Sequence, residues 1–310
     1  MKKKISIAIP CFNEEANIET TYKKIEVILK KLSSYDFEYI IVDNGSTDKT
    51  KEIIKKIAKK DKRISGVFLS RNFGPEASAT ALLDYSTGDA FIGIPCDLQD
   101  PPELIPQFIK KWEEGYDIVV GIYKKTEDDL FTSFLRKSFY NIFKRISNIE
   151  VPINASGVGL LDRKAINALK SLPEKYRFFR GLRSWIGFKT AHVIYERKKR
   201  LYGASSYHSF FDYVKHAERG IFGFSYLPLD LMVYGGFLLT LFSFLFIVGY
   251  LYWVIVYGNP IKASIPLMMG IVFFGGVQLL AISIIGKYIQ VIVEETKNRP
   301  IYIVEDTINT

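Results

Sequence analysis

The chain has 310 residues, 48% of them hydrophobic, and 42 Lys and Arg against 33 Asp and Glu give a net charge of +9. That length holds one large or two small domains, and a mean hydropathy of +0.08 is high for a soluble protein. The basic residues are scattered and form no nucleic-acid recognition motif, so their charge suits anionic lipid and phosphate ligands instead. Cys11 and Cys96 are the only cysteines and read as free thiols of a cytosolic domain, without the further ligands a metal site needs.

The Met1-Lys2-Lys3-Lys4 start runs directly into a strand pattern, so no signal peptide is expected. Strand and helix patterns then alternate. Ile5 to Pro10 reads as a strand, Glu15 to Leu32 as an amphipathic helix and Glu38 to Val42 as a strand. Asp48 to Lys60 is a Lys-rich helix, with Ser46 or Thr47 expected as its cap. Ile64 to Leu69, Ala90 to Ile94 and Asp117 to Gly121 are further strands, separated by helices at Glu76 to Tyr85 and Leu104 to Glu114. This rhythm predicts an α/β domain built on a largely parallel, doubly wound sheet. Beyond a polar loop (Lys124 to Asp129) come a helix carrying Arg136 and Lys137, a strand at Val158 to Leu161 and a helix at Lys164 to Leu169. A helix after Arg177-Phe178-Phe179-Arg180-Gly181 and a strand at Ala191 to Arg197 follow. Ser206 to Phe224 mixes aromatics with Lys215 and Arg219, a composition that suits a helix lying in a membrane interface.

From Leu229 to Tyr257, and again from Ile265 to Val293, the sequence is almost free of charge. Each run exceeds the roughly 20 residues that cross a bilayer and is apolar on all sides. Only a short turn, Gly258-Asn259-Pro260-Ile261-Lys262, separates them. The alternative is a helical hairpin buried in a soluble core. Basic residues crowd the flanks on the side of the large domain (Arg197, Lys198, Lys199, Arg200, Lys215, Arg219, Lys287, Lys297, Arg299), which predicts cytoplasmic termini.

The segment Cys96-Asp97-Leu98-Gln99-Asp100-Pro101-Pro102-Glu103 carries the clearest chemistry. It follows a buried strand, and in an extended segment Asp97 and Gln99, two apart, point to one side. There their oxygens could share a hard cation with substrate phosphates. Asn13-Glu14, Asp43-Asn44-Gly45-Ser46 and Arg71-Asn72-Phe73-Gly74 also fall at strand ends. In doubly wound sheets ligands bind beyond the carboxyl ends of the strands. Each cluster by itself reads equally as a plain turn; four together predict a site.

In this order the clusters resemble the family-two glycosyltransferases of GT-A fold, specifically the polyprenyl-phosphate glycosyltransferases. The stretches that carry the likeness are Pro10-Cys11-Phe12-Asn13-Glu14, Val42-Asp43-Asn44-Gly45-Ser46, Ser70-Arg71-Asn72-Phe73-Gly74, Asp97 to Leu104, Leu161-Asp162-Arg163, Arg180-Gly181-Leu182, Arg200 and the closing hairpin. The resemblance implies a GT-A domain over 1–205, an amphipathic juxtamembrane helix over 206–226, a transmembrane hairpin over 227–293 and a cytoplasmic tail over 294–310. It implies an enzyme of the bacterial inner membrane that transfers a sugar, with glucose as the first expectation, from a nucleotide-sugar, UDP-linked by preference, to undecaprenyl phosphate. Pro10, Asn13, Glu14, Asp43, Ser46, Asn72 and Asp97 would bind the donor. Asp97 and Gln99 would ligate Mg²⁺ or Mn²⁺, and Arg136, Lys137, Arg197, Arg200 and Ser205 would grip the acceptor phosphate. Asp97, Arg200 and Asp100 are the expected catalytic residues. Self-association into a homo-oligomer is left open.

Two departures from the family pattern matter. Pro95 stands where the first Asp of an Asp-x-Asp belongs, so metal binding would lean on the diphosphate and water. Gly157 replaces an Asp proposed as a base, for which Asp100 or Asp162 could substitute, although Asp162 reads equally as a helix cap. Ser206 likewise replaces a Lys. The acceptor is already anionic near neutral pH, so it needs orientation more than deprotonation. A processive polysaccharide synthase would need more spans and a Gln-x-x-Arg-Trp motif, absent around Trp112, Trp185 and Trp253. A non-catalytic, membrane-anchored nucleotide-sugar scaffold is the rival from another class.

Overall fold

A computed structural model describes residues 2–124, 152, 154–198, 222–258 and 264–310. Its sheet contains β1 (Lys3–Cys11), β2 (Tyr35–Asp43), β3 (Ile64–Leu69), β4 (Ala90–Gly93), β5 (Ile118–Tyr123), β6 (Ala155–Asp162), β7 (Thr190–Tyr195) and β8 (Val304–Ile308), in the order β7-β5-β6-β4-β1-β2-β3-β8. The helices are α1 (Ile18–Leu29), α2 (Thr50–Lys60), α3 (Pro75–Tyr85), α4 (Ile105–Glu113), α5 (Arg163–Ser171), α6 (Phe179–Trp185), α7 (Leu227–Tyr257) and α8 (Ser264–Thr296). The pairs β1–β2, β1–β4, β2–β3 and β5–β7 are parallel, while β4–β6, β5–β6 and β3–β8 are antiparallel.

Successive side chains of a strand point to opposite faces, and here both faces are buried. Ile5, Ile7 and Ile9 of β1 join Tyr39, Ile41 and Ile92 against Ile25 of α1, Ile54 of α2 and Phe108 and Trp112 of α4. Ala8, Ile40, Val42 and Val67 form the opposite face, packed on Ala81, Leu82 and Leu83 of α3, Ile166 and Leu169 of α5 and Leu182 of α6. Helices therefore cover both faces, as the near-continuous apolar strands require. The chain moves outward through β1, β2 and β3, then returns under α3 to place β4 on the other side of β1. The crevice between the carboxyl ends of β1 and β4 is where such sheets bind ligands.

Several expected boundaries shift. Ser46 and Thr47 do not cap α2: Ser46 turns back to donate to Asp43, and Asp48 Oδ1 accepts the Thr50 N–H at 2.9 Å instead. After β4 the two prolines introduce a single 3₁₀ turn, Pro102–Leu104, that runs into α4. Residues 304–308, set apart in the sequence as a tail, form the edge strand β8 on β3.

Helices α7 and α8 lie outside the two cores. Leu231, Phe237, Phe242, Phe246 and Ile255 of α7, and Leu267, Ile271, Leu279 and Ile282 of α8, are exposed. This arrangement corrects the alternative of a hairpin buried in a soluble core. At 31 and 33 residues both helices are longer than the roughly 20 residues that cross a bilayer. Gly258, at φ 63, ends α7 in the left-handed conformation typical of a helix C-terminus.

Candidate active site

Four strand-end loops meet at the switch point. Cys11 and Asp43, the last residues of β1 and β2, are register partners, and the Asn44 N–H donates to the Cys11 carbonyl at 2.9 Å. The loop after β1 is laced to the loop after β2. The Asn13 N–H donates to Ser46 Oγ at 2.9 Å, the Thr47 N–H to Asn13 Oδ1 at 2.8 Å and the Glu14 N–H to Thr50 Oγ1 at 2.8 Å. Asn13 holds a left-handed backbone, φ 54, which short polar residues tolerate. The loop after β3 is laced to the same place. Asn44 Nδ2 donates to Asn72 Oδ1 at 3.0 Å, and Asn44 Oδ1 accepts the Phe73 N–H at 3.0 Å. Gly45 sits at this crossing with φ +71, and a Cβ there would lie 2.6 Å from Arg71 Cα. Only glycine fits.

Asp43 is 1% exposed, and burial raises its carboxyl above the ordinary range although the Ser46 hydroxyl and N–H work to lower it. Asn13 and Asn72 are exposed at the loop tips, and Pro10 is half-buried in β1. Glu14 faces inward: it is 7% exposed and its Oε2 accepts from Asn17 Nδ2 at 2.6 Å. It braces the loop from beneath. Arg71 stacks its guanidinium 4.0 Å from the Phe73 ring, which shapes the loop.

The loop after β4 differs from the extended form expected. Leu98 adopts φ 57, and the Gln99 N–H closes a turn onto Asp97 Oδ1 at 3.1 Å. Gln99 Oε1 accepts from Arg197 Nη2 at 3.0 Å. In this turn Gln99 Oε1 accepts from Arg197 and Asp97 Oδ1 from the Gln99 N–H, which leaves the second carboxylate oxygen of Asp97 and a remaining lone pair of Gln99 Oε1 for the expected cation. Among the described residues no group of three His, Cys, Asp or Glu side chains could enclose a metal. One carboxylate completed by diphosphate oxygens and water fits Mg²⁺, which is commonly held in that way.

Asp100 is 3% exposed, accepts a hydrogen bond from the Tyr195 hydroxyl and lies 3.5 Å from Arg197 Nε. Burial raises its carboxyl, while Arg197 and the Tyr195 hydroxyl favour the ionised form. Arg197, expected at the acceptor phosphate, thus stands on the loop after β4 and ties it to the end of β7. Tyr195 is the contact to this loop that motif reading missed. Its only signal was alternation, since Ala191, Val193 and Tyr195 form the inward row of β7.

Asp162 caps α5 by accepting the Lys164 N–H at 2.9 Å, and it also accepts from Trp112 Nε1 at 2.8 Å. It pairs with Ala90 at the start of β4, the opposite end from Asp97, so it cannot serve as the base. Gly157 lies in β6 with nothing within 4 Å of an added Cβ, leaving open space near the carboxyl ends of β4 and β5. Arg136, Lys137, Arg200 and Ser205 lie outside the described residues.

The chain matches the family model described as glycosyl transferase family 2 over residues 6–170. It is 38% identical to an uncharacterized glycosyltransferase of Synechocystis sp., over 99% of this chain and 96% of that protein. It is 36% identical to the bactoprenol glucosyl transferase of Shigella phage SfX, over 97% of this chain and 99% of the phage protein. Among solved structures, mannosyl-3-phosphoglycerate synthase from Rubrobacter xylanophilus aligns with a TM-score of 0.50 at 17% identity, over 75% of each chain, a likeness of fold alone. The family match spans the strand-end loops and the strands β2 to β6 with most of β1, and the chain belongs to glycosyl transferase family 2.

Proposed function

We propose that this protein is a membrane-anchored, inverting glycosyltransferase that moves glucose from UDP-glucose to the phosphate of a polyprenyl lipid. The observation that carries this reading is the full-length similarity to bactoprenol glucosyl transferases, which extends from the strand-end loops through both apolar helices. The hairpin anchors the domain in the bacterial inner membrane, with both termini cytoplasmic.

Asn13, Asp43 and Ser46, with Asn72 behind them, bind the nucleoside. Asp97 would hold a divalent cation, Mg²⁺ or Mn²⁺, and the cation would supply Lewis-acid stabilisation of the diphosphate leaving group. A phosphate oxygen of the lipid forms a bond to the anomeric carbon from the side opposite the diphosphate. The bond from that carbon to the diphosphate oxygen breaks, and UDP departs with the electron pair. No base is required, because the lipid phosphate carries its negative charge before attack. Asp100, itself held by the Tyr195 hydroxyl, serves by holding Arg197 with its charge, and Arg197 with Arg200, Arg136, Lys137 and Ser205 balances the phosphates. Holding both substrates in line supplies much of the rate.

The test is transfer of radiolabelled sugar from a panel of UDP- and GDP-sugars to undecaprenyl phosphate by the full chain in detergent. Lipid-extractable label from UDP-glucose is the expected result. Donor binding without turnover would instead favour the scaffold reading.

A further inference from the structure

The nucleoside, the diphosphate and the lipid phosphate each have residues in the proposed site, whereas the sugar ring between them has none. Strand β6 is irregular where it passes the loop after β4. Its pairing with β5 is regular from Leu161 to Gly159, opposite Ile118 to Val120, and then slips until Ala155 faces Ile122. Residues 156–158 therefore stand against Gly121 alone. A bulge of this kind pushes its extra residues out of the ladder, and bulges recur beside active sites. Ser156 closes it from within: its Oγ accepts the Val158 N–H at 3.1 Å and donates to the Val158 carbonyl at 3.3 Å. Gly157 is left at the tip.

Two nearby glycines have a packing reason. A Cβ on Gly159 would run into the Val119 carbonyl oxygen, and one on Gly121 would lie 2.9 Å from Ser156 Oγ and 3.0 Å from Tyr195 Cε1. Gly157 has no such reason. Among the described residues no atom lies within 4 Å of an added Cβ, and its φ is outside the left-handed region that favours glycine. It is exposed between two buried neighbours, Ser156 and Val158. A glycine weakens a strand, and where neither packing nor backbone calls for one it marks close approach of a ligand to the chain.

The bulge is fixed on every side by groups of the site. Gly159 pairs with Gly93, and Gly157 lies two residues farther toward the carboxyl end of β4, its carbonyl oxygen 3.8 Å from the Cβ position of Gly93. Arg183 of α6 donates from Nη2 to the Ser156 carbonyl at 3.3 Å. Ser156 and Tyr195 meet over Gly121, and the Tyr195 hydroxyl donates to Asp100, 3.5 Å from Arg197 Nε. Both guanidinium groups are engaged, Arg183 by that carbonyl and Arg197 by Gln99 and Asp100. The floor at Gly157 is thus neutral backbone, which suits the hydroxyls of a sugar better than a phosphate. We propose that Gly157 is the specificity-determining residue of the sugar subsite: the bulge offers a floor free of side chain on which the hexosyl ring of the nucleotide-sugar lies, between the loop that carries Asp97 and the Asp100–Arg197 pair. The proposal rests on the reading under Proposed function.

The test measures the Kd of UDP and of UDP-glucose by calorimetry with Mn²⁺, and the lipid KM at saturating donor, on the full chain in detergent. Gly157→Val weakens UDP-glucose by about tenfold, as a partly filled pocket does, and Gly157→Ala weakens it by a smaller factor. The Kd of UDP stays within about twofold in both variants. The thermal midpoint of Gly157→Ala is unchanged or higher, because the added methyl meets no atom and the backbone is ordinary. Where the valine form is unstable, the same contrast in the alanine form decides. Unchanged UDP-glucose affinity overturns the sugar subsite. So does an equal weakening of UDP, which marks damage to the nucleoside loops, and so does a rise in the lipid KM alone, which assigns the space to the acceptor phosphate. Absence of transfer by the unsubstituted chain overturns the functional reading by itself, because the two Kd values still decide the subsite.

Discussion

At the scale of single residues, Asp97 and Gly45 bear the most distinct demands. In the proposed site Asp97 is the carboxylate that would hold the cation, beside a Gln99 whose Oε1 already accepts from Arg197. Asp97→Ala is therefore expected to lower transfer by roughly 100-fold or more, given the several kcal/mol a cation supplies to a leaving group. Rates with Mn²⁺ and with EDTA, measured on both forms, check it. EDTA should cost the unsubstituted chain as much and leave the variant unchanged. Gly45→Ala would force a side chain into a left-handed backbone and against Arg71 Cα and Asn72 N, 2.6 and 2.7 Å away. We expect a loss of about 2 kcal/mol or more, visible as a lower thermal midpoint, together with weaker UDP-glucose binding. Equal stability and affinity in the alanine form would show that the 44–46 loop can part from the 71–72 loop.

A third residue-scale prediction concerns Glu38, at the far end of the sheet from the site. Burial works to raise its carboxyl but is outweighed by Lys4, the Ser6 hydroxyl and the hydroxyl and N–H of Thr87, which bring it down to about 2. In the unfolded chain the same group titrates near 4.3. Its stabilisation is thus present above about pH 4.3 and is lost as pH falls toward 2. Allowing for solvent around Lys4, about 2 kcal/mol disappears over that window. Thermal unfolding between pH 5 and pH 2.5 should fall more steeply for the unsubstituted chain than for Glu38→Gln. Parallel curves would count against this group.

At the scale of elements, strand β8 is the part whose removal tells most. It covers the edge of β3, places Val304 and Ile308 against the two cores and brings Glu305 and Asp306 to Lys51 and Lys55. Ending the chain after Arg299 would expose a bare strand edge, which invites pairing between molecules. We expect a loss of about 2 kcal/mol from the half-buried apolar side chains alone, and a shift toward aggregates on size exclusion. A monodisperse truncated chain of unchanged thermal midpoint would show that β8 is dispensable. Most elements were legible in advance because Ile, Val and Phe runs alternate with helical periods and end in Gly, Asn, Asp or Pro. β8 was not, because Val304-Glu305-Asp306-Thr307-Ile308 is short and polar on its outward row, and only the partner strand tells it from a loop. The Asp97–Gln99 turn escaped for a related reason. A left-handed Leu98 carries no composition signal, whereas Gly45 and Asn13 advertise theirs. Arg197 read as a grip for the acceptor phosphate, and its tie to Gln99 and Asp100 depends on β7 ending beside the loop after β4.

At the scale of the whole molecule, the fold brings the carboxyl ends of β1, β2, β3 and β4 together above a sheet buried on both faces, while two helices of membrane length leave from one side. A soluble enzyme has no use for that hairpin, and a pure anchor has no use for three laced loops beside the turn after β4. Their combination suits a reaction whose donor comes from water and whose acceptor stays in the bilayer. The measurement that addresses this most directly is the structure of the product formed by the full chain from UDP-glucose and undecaprenyl phosphate, determined by mass spectrometry and by NMR of the anomeric proton. A single glucose on the lipid phosphate in the β configuration is the predicted outcome. An α-linked sugar, a polysaccharide or donor left intact would contradict inverting transfer to a lipid phosphate.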